Sequence, residues 1–148
     1  MSIFKENKHS ILVHCLFQEA YPEIVLWGEA SWWPKGSLMR FVRKDSGPVA
    51  MGTRYRQQVL LPFAPAWDVE VGGLDAGSIT RQLLNGMFSG SETISLEPAG
   101  PEIEIRYVMR YQINGVINKV MWPLVFERLH NRNIEEILSN LKKYLEKK

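Results

Sequence analysis

The feature that most restricts how this sequence can fold is an unbroken alternation followed at once by a long amphipathic helix. From Glu102 to Ile113, the residues Ile103, Ile105, Tyr107, Met109, Tyr111 and Ile113 share one face. Glu102, Glu104, Arg106, Arg110 and Gln112 take the other, with Val108 the only apolar residue among them. Period-two spacing of this kind specifies a strand with one buried face. Only Asn114 and Gly115 separate it from the stretch Val116 to Lys148, which reads as one helix. There Ile134, Ile137, Leu138, Leu141 and Leu145 recur at i, i+3, i+4 and i+7, while Glu135, Glu136, Lys142, Lys143, Lys147 and Lys148 fill the opposite side. Projected backwards at about 100° per residue, the stripe passes through Asn131, Glu127, Leu124 and Val120, so it turns polar at its centre. A helix joined so tightly to a strand folds back across that strand's sheet. A polar patch on the covered face predicts a cavity beneath it.

Composition narrows the partners. The 148 residues suit one domain, and a domain of that size buries roughly 68–70% of its unfolded surface. With 45% hydrophobic and 23% charged residues and a net charge of +2, the chain gives little electrostatic reason to expect nucleic acid or acidic lipid. Lys142 to Lys148 is expected to be the solvated face and last turn of a helix, where cations complement the helix dipole. Cys15 is the one cysteine. It permits neither a disulfide framework nor a cysteine metal site within one chain, and it is expected as a small buried hydrophobe. No stretch approaches the ~18 consecutive apolar residues of a membrane span, and Lys5, Glu6 and Lys8 are unlike a secretory signal. A cytoplasmic protein without stable membrane insertion is expected, as monomer or homodimer.

Ahead of the final strand, Ser10 to Cys15 reads as an opening strand. Phe17 to Trp27 reads as one or two short helices that end near Gly28 or Trp33-Pro34, with Pro22 in a first turn. Strands follow at Leu38–Lys44, from Gly52-Thr53 to Leu61, at Trp67–Val71, at Ser78–Leu84 and at Met87–Glu97, with Pro62 and Pro65 as breakers. Tyr55, Gln57, Val59 and Leu61 are expected to face inward, because the alternative buries Arg54 and Arg56. Asn85-Gly86 is a strong hairpin signal. Taken as a two-residue turn it sets Leu83 against Phe88, Arg81 against Gly90 and Ile79 against Glu92. One face is then polar, with Ser78, Thr80, Gln82, Ser89, Ser91 and Thr93. The other holds Ile79, Leu83, Phe88, Ile94 and Leu96 together with Arg81 and Glu92, opposite charges one diagonal step apart that are tolerable in a core as a pair. Tyr107 lies nearby once Pro98 to Pro101 closes the next hairpin.

The order β-α-α-β6-α resembles the helix-grip fold of the START/birch-pollen-allergen superfamily (SRPBCC), particularly its polyketide cyclase/dehydrase branch. The resemblance rests on Trp32-Trp33-Pro34 after the first helices, Gly52-Thr53-Arg54 opening a strand, and Asn85-Gly86 leading into Phe88-Ser89-Gly90-Ser91-Glu92. It rests also on the alternating strand from Glu102 and the last helix with Asn131 and Leu141. It implies an α+β fold in which a seven-stranded curved antiparallel sheet wraps around a long C-terminal helix. It also implies a cavity between them for an apolar small molecule such as a lipid, sterol, polyketide or quinone. The same fold serves binding, transport and catalysis, so function rests on the site.

There is no G-x-S-x-G, P-loop or H-E-x-x-H, and His9, His14 and His130 are not at metal-ligand spacing. No metal and no cofactor is expected, and His130, beside the stripe, is expected on the helix surface. The catalytic candidates are Glu92, Glu127, Arg81 and Tyr107. A desolvated carboxylate has its pKa raised toward values useful for proton transfer, and Arg81 or Tyr107 can hold an enolate or phenolate oxygen. With Asn131, the same groups equally suit the polar head of an apolar ligand, or a buried structural network. Trp67, Phe88, Tyr107, Met109 and Tyr111 on inner strand faces, with Tyr55 and Trp33, are candidate ligand lining, and Pro123 places Trp122 at a bend near the cavity mouth. Binding of a hydrophobic or aromatic small molecule is the expected function. The alternatives are a cyclase or dehydratase using a cavity carboxylate, and an interaction protein with a filled core and a large exposed apolar patch.

Overall fold

The structure, a computed structural model, describes residues 4–60, 66–84 and 86–147. Leu61, Pro62, Pro65, Asn85 and Lys148 fall outside them. Seven strands form one antiparallel sheet: β1 (Lys5–Val13), β2 (Met39–Arg43), β3 (Arg54–Val59), β4 (Ala66–Asp75), β5 (Ser78–Leu84), β6 (Phe88–Ala99) and β7 (Glu102–Ile113), in spatial order β1-β7-β6-β5-β4-β3-β2. Helix α1 (Phe17–Val25) follows β1. At the carboxyl end, α2 (Val116–Met121), a π-helical turn (Trp122–Phe126) and α3 (Glu127–Glu146) run without a break.

The alternation of β7 is realised in full, with every odd-numbered residue from Ile103 to Ile113 buried. Ile134, Ile137, Leu138, Leu141 and Leu145 of α3 are buried against the sheet. In β3, Tyr55 and Gln57 point inward and Arg54 and Arg56 outward, the latter bonded to Glu70 and Asp68 across the β3–β4 pair.

Three expectations change. The first strand begins at Lys5 instead of Ser10, pairing with β7 as far as Tyr111. Its inward positions there are Asn7 and His9, both turned toward Asn131 of α3, so no apolar alternation marks it. A single regular helix, α1, replaces the possible pair, and turns occupy most of residues 26–36. The β5–β6 register is displaced by two residues: Leu83 faces Gly90, Arg81 faces Glu92 and Ile79 faces Ile94. The cause lies in Gly86 and Met87, which are held by Asn114. Its side-chain amide donates to the Gly86 carbonyl, and its backbone N–H donates to that of Met87. Those residues therefore serve the β7–α2 junction instead of a tight turn. A shift of two keeps every side chain on its expected face, and it brings Arg81 and Glu92 from diagonal to directly opposite.

The last helix differs from a uniform one at Pro123. Proline lacks the N–H that an α-turn needs and its ring crowds the preceding turn, and the local result is the π-turn. The extra residue in that turn rotates α2 relative to α3. Trp122 is thereby turned into the core, while Val120 and Leu124 of the projected stripe face outward. Within α3 the buried stripe continues through Asn133 and His130, leaving Asn131 and Glu127 half-buried beside it. Cys15 is half-buried against the core.

Gly90 closes the β5–β6–β7 junction at φ 138°, where an added Cβ would overlap the carbonyl oxygen of Arg110. Gly90→Ala is expected to cost about 3 kcal/mol or more. Gly100→Ala, at φ 66° with open space around it, should cost only about 1–2 kcal/mol. Urea midpoints of the two variants give the comparison.

Candidate functional site

Two neighbouring groups of polar side chains interrupt the apolar interior. The first lies on the inner face of β5, β6 and β7. Tyr107 Oη donates to Glu92 Oε2 at 2.9 Å, and Arg81 Nη2 donates to the Trp27 carbonyl at 2.6 Å. The Arg81 guanidinium lies 4.5 Å from the Tyr55 ring centroid and 5.3 Å from that of Phe41, so cation–π attraction replaces part of its lost hydration. Trp27 stacks on Tyr107 with centroids 5.8 Å apart, and Tyr55 Oη donates to Glu29 Oε2 at 2.8 Å.

The expected ion pair is absent, although Arg81 and Glu92 face each other in register. Their side chains diverge, one to Trp27 and the other to Tyr107. Arg81 Nε and Nη1 and Glu92 Oε1 are left buried without a partner among the described residues. Burial pushes the Glu92 carboxyl above the usual carboxylate range, opposed by the Arg81 charge and the Tyr107 hydrogen bond. Burial also lowers the Arg81 pKa and, with Glu92 beside it, lifts that of Tyr107 well above its ordinary value. Each ion withdrawn from water costs several kcal/mol unless it is paired and hydrogen-bonded.

The second group lines a recess of about 370 Å³ at the end of the sheet where β2 begins and β3 ends. Leu38, Met39, Val59, Trp67, Trp122, Phe126, Leu129, His130 and Asn133 form its walls. Part of the recess is open to solvent, and its enclosed part holds little more than one water. The cavity expected between the sheet and the last helix is represented among the described residues by this recess, and aromatic rings fill the interior beside it. Trp27, Trp32, Trp33, Phe41 and Tyr55 meet in successive edge or tilted contacts with centroids 5.4–6.3 Å apart.

The recess walls carry unspent polar capacity. Trp67 Nε1, His130 Nε2 and Asn133 Nδ2 are buried without a hydrogen-bond partner among the described residues, while Ser37 Oγ donates to Asn133 Oδ1 at 3.0 Å. His130 is not a surface histidine. Its ring lies 5.5 Å from Trp122 and 6.0 Å from Tyr107, joining the recess to the Arg81–Glu92–Tyr107 group. Burial, with a smaller contribution from His9, lowers its pKa to about 3, so the ring is neutral near pH 7.

The anticipated residues thus divide. Arg81, Glu92, Tyr107 and Tyr55 meet in the interior, with Met109 buried opposite Glu92 in the β6–β7 pair. Trp67 and Trp122 reach the recess. Phe88 packs edge-on against both at 4.9 and 4.8 Å, and Tyr111 Oη accepts from Trp122 Nε1 at 2.9 Å. Trp33 lies half-buried between Trp27 and Phe41. Glu127 stands apart from Arg81 and Glu92, near enough to Tyr111 to raise its pKa after burial has done so. Asn131 faces β1, where Asn7 Nδ2 donates to its Oδ1. The recess residues not anticipated are His130, Asn133, Leu38, Met39, Phe126 and Leu129. For His130 and Asn133 a helical period of 3.6 falls between two tracks, and sequence spacing alone does not choose between them. Among the described residues no group of His, Cys, Asp and Glu is placed to hold a metal.

No family model and no curated protein matches the sequence. Solved structures do match the fold. Norcoclaurine synthase from Thalictrum flavum superimposes with a TM-score of 0.73 at 15% identity over 99% of this chain and 97% of that one. A Thermus thermophilus protein gives 0.70 at 16% identity, covering 95% and 97%. The di-domain ARO/CYC StfQ of the steffimycin biosynthetic pathway gives 0.69 at 15% identity, with 97% of this chain on 51% of that larger one. The chain has the helix-grip fold of these proteins.

A buried neutral histidine makes stability depend on pH. Between pH 6.5, the ordinary His value, and about 3, the unfolded chain holds a proton that the folded one refuses. The contribution is complete above pH 6.5 and falls by up to about 1.4 kcal/mol per pH unit on acidification. Glu92, with its pKa raised, titrates in the opposite sense. The informative quantity is therefore the difference between the parent and His130→Gln in urea midpoint from pH 7 to 4, which should narrow steadily in acid. A constant difference would show that His130 is not neutral and desolvated.

Proposed function

We propose that the protein binds a small, largely aromatic or apolar molecule in the recess between the sheet and the last helix. Trp67, His130 and Asn133 supply its polar contacts, and the Arg81–Glu92–Tyr107 group stands behind them. One observation carries the reading: unpartnered polar atoms belong to three residues of an otherwise apolar wall. Buried polar groups ordinarily find partners, and few polar groups on an apolar surface are how small-molecule sites orient their ligands. The fold adds support, since norcoclaurine synthase has been solved in complex with dopamine and hydroxybenzaldehyde, both small aromatics. Entry of a ligand larger than the enclosed space requires a wall side chain to move, and the π-turn that carries Trp122 and Phe126 gives that segment a looser hydrogen-bond pattern than an α-turn.

The second reading is an acid–base enzyme of the cyclase or dehydratase type. It is favoured by a carboxyl held above its ordinary range by burial, with a phenol donating to it. Glu92 would move the proton and Tyr107 would hold the developing oxyanion. Glu127 lies outside this group, and the reading does not need it.

Native beside denaturing mass spectrometry of the purified protein tests for a retained small molecule, and titration with an anilinonaphthalene sulfonate dye tests for an accessible apolar site. Leu129→Trp, which fills the recess from a half-buried position, is expected to weaken dye binding by about tenfold or more, roughly 1.4 kcal/mol, with little change in melting temperature. Undiminished binding would place the site elsewhere. Glu92→Gln separates the two readings. Retained binding with abolished turnover of a phenolic or polyketide substrate supports the enzyme, whereas unchanged turnover removes Glu92 from the chemistry and no turnover by the parent removes the enzyme reading.

A further inference from the structure

The same end of the molecule carries an exposed apolar surface that the recess does not use. Val116, Ile117 and Leu124 are 79%, 78% and 73% exposed, and Val120, Met121 and Val125 are exposed beside them. These residues belong to α2 and the π-turn. Antiparallel pairing places the amino-terminal end of β1 and the carboxyl end of β3 at this end as well, adding exposed Phe4 and Leu60. A cluster of exposed aliphatic residues on one short segment, as in α2 and the π-turn, is uncommon unless something covers it.

Charge identifies the cover. Between Val116 and Arg132 the cations are Lys119, Arg128 and Arg132, all exposed, against Glu127 as the sole acid. None of these three cations takes part in an ion pair among the described residues. Lys5 and Arg110 lie at the same end, with the Arg110 guanidinium 5.2 Å from the Phe4 ring, while nearby Glu6 is engaged by Lys8 at 3.0 Å. A net charge of +2 conceals this local excess, because acidic residues elsewhere offset it, exposed Glu135 and Glu136 beyond Arg132 among them. Apolar side chains rimmed by unpaired cations match an interface of acyl chains and anionic headgroups. A two-fold contact between copies would instead gather the cations of both copies at one interface. No helix among the described residues is long and apolar enough to cross a membrane, so the contact is peripheral.

We propose that this end of the protein docks on an anionic phospholipid surface, with Val116, Ile117, Val120 and Leu124 entering the acyl boundary and Lys119, Arg128 and Arg132 against the headgroups. Trp122 and Phe126 line the recess from the same π-turn whose Leu124 faces outward, so a docked molecule sets the recess beside the lipid. Docking stands without the ligand-binding proposal, and failure of either leaves the other intact.

The test is flotation of the full chain with phosphatidylcholine vesicles, with and without phosphatidylserine. Binding is expected only to phosphatidylserine-containing vesicles and should weaken with salt. Lys119→Gln should lower it about fivefold, and Ile117→Asp combined with Leu124→Asp at least about tenfold. Circular dichroism should be unchanged, since these side chains are exposed. Absence of binding, equal binding to phosphatidylcholine alone, or indifference to these substitutions overturns the proposal. So does a concentration-dependent dimer in sedimentation that Ile117→Asp dissociates while vesicle binding is lacking.

Discussion

The pairing of β6 with β7 is the constraint on which the rest of the structure depends. Every residue from Phe88 to Ala99 has a partner between Glu102 and Ile113, so the two strands act as one stiff ribbon. Their alternation decides which side chains enter the core. Tyr107 sits opposite Ile94 and diagonal to Glu92, which is what allows its hydroxyl to reach the carboxylate. The ribbon also aims the last helix, since only Asn114 and Gly115 separate Ile113 from α2. Asn114 then binds Gly86 and Met87, so the junction that launches the helix also fixes the β5–β6 loop, and through it the alignment of Arg81 with Glu92.

That alignment is energetically unusual. Two opposite charges in direct cross-strand register would ordinarily meet, and a core with no other purpose gains from letting them do so. Here each is held by another partner: Arg81 by the Trp27 carbonyl and the faces of Tyr55 and Phe41, Glu92 by Tyr107. Aromatic quadrupoles and single hydrogen bonds offset only part of the desolvation. The remainder appears as a raised carboxyl pKa and as unpartnered atoms. Pairing the two charges would recover more of that cost, so stability alone does not account for the arrangement.

Residues whose chemistry repeats make the fold legible from sequence. The alternation of β7 and the stripe Ile134–Leu145 need no tertiary information, and together with strand count they specify a sheet gripping a helix. Elements held by non-local polar contacts are not legible. The first half of β1 looks like a polar lead-in because its inward residues, Asn7 and His9, answer Asn131 across the sheet. The Asn85-Gly86 dipeptide carries a tight-turn signal, but Asn114, distant in sequence, binds Gly86 and Met87. The candidate site was legible in the same proportion. Arg81, Glu92 and Tyr107 follow from face parity, which survives a shift of two residues. His130 and Asn133 do not, because sequence spacing cannot say which of two adjacent helical tracks faces the sheet.

Pro123 shows how one residue decides what a whole end of the molecule presents. In an uninterrupted α-helix Val116 and Val120 would turn toward the stripe of α3, while Ile117, Met121 and Val125 would lie on the other side. The π-turn adds a residue to one turn, and the facing rotates. Trp122 then packs on Phe88 and bonds to Tyr111, filling the space the aliphatic residues vacate. Those aliphatic side chains are left outside, at a cost in exposed apolar area that a helix with polar residues at 116, 117, 120 and 124 would avoid. Burial selects Trp122, but burial cannot select Val116, Ile117 and Leu124 in water. Their apolarity accords with the proposed contact to a lipid surface.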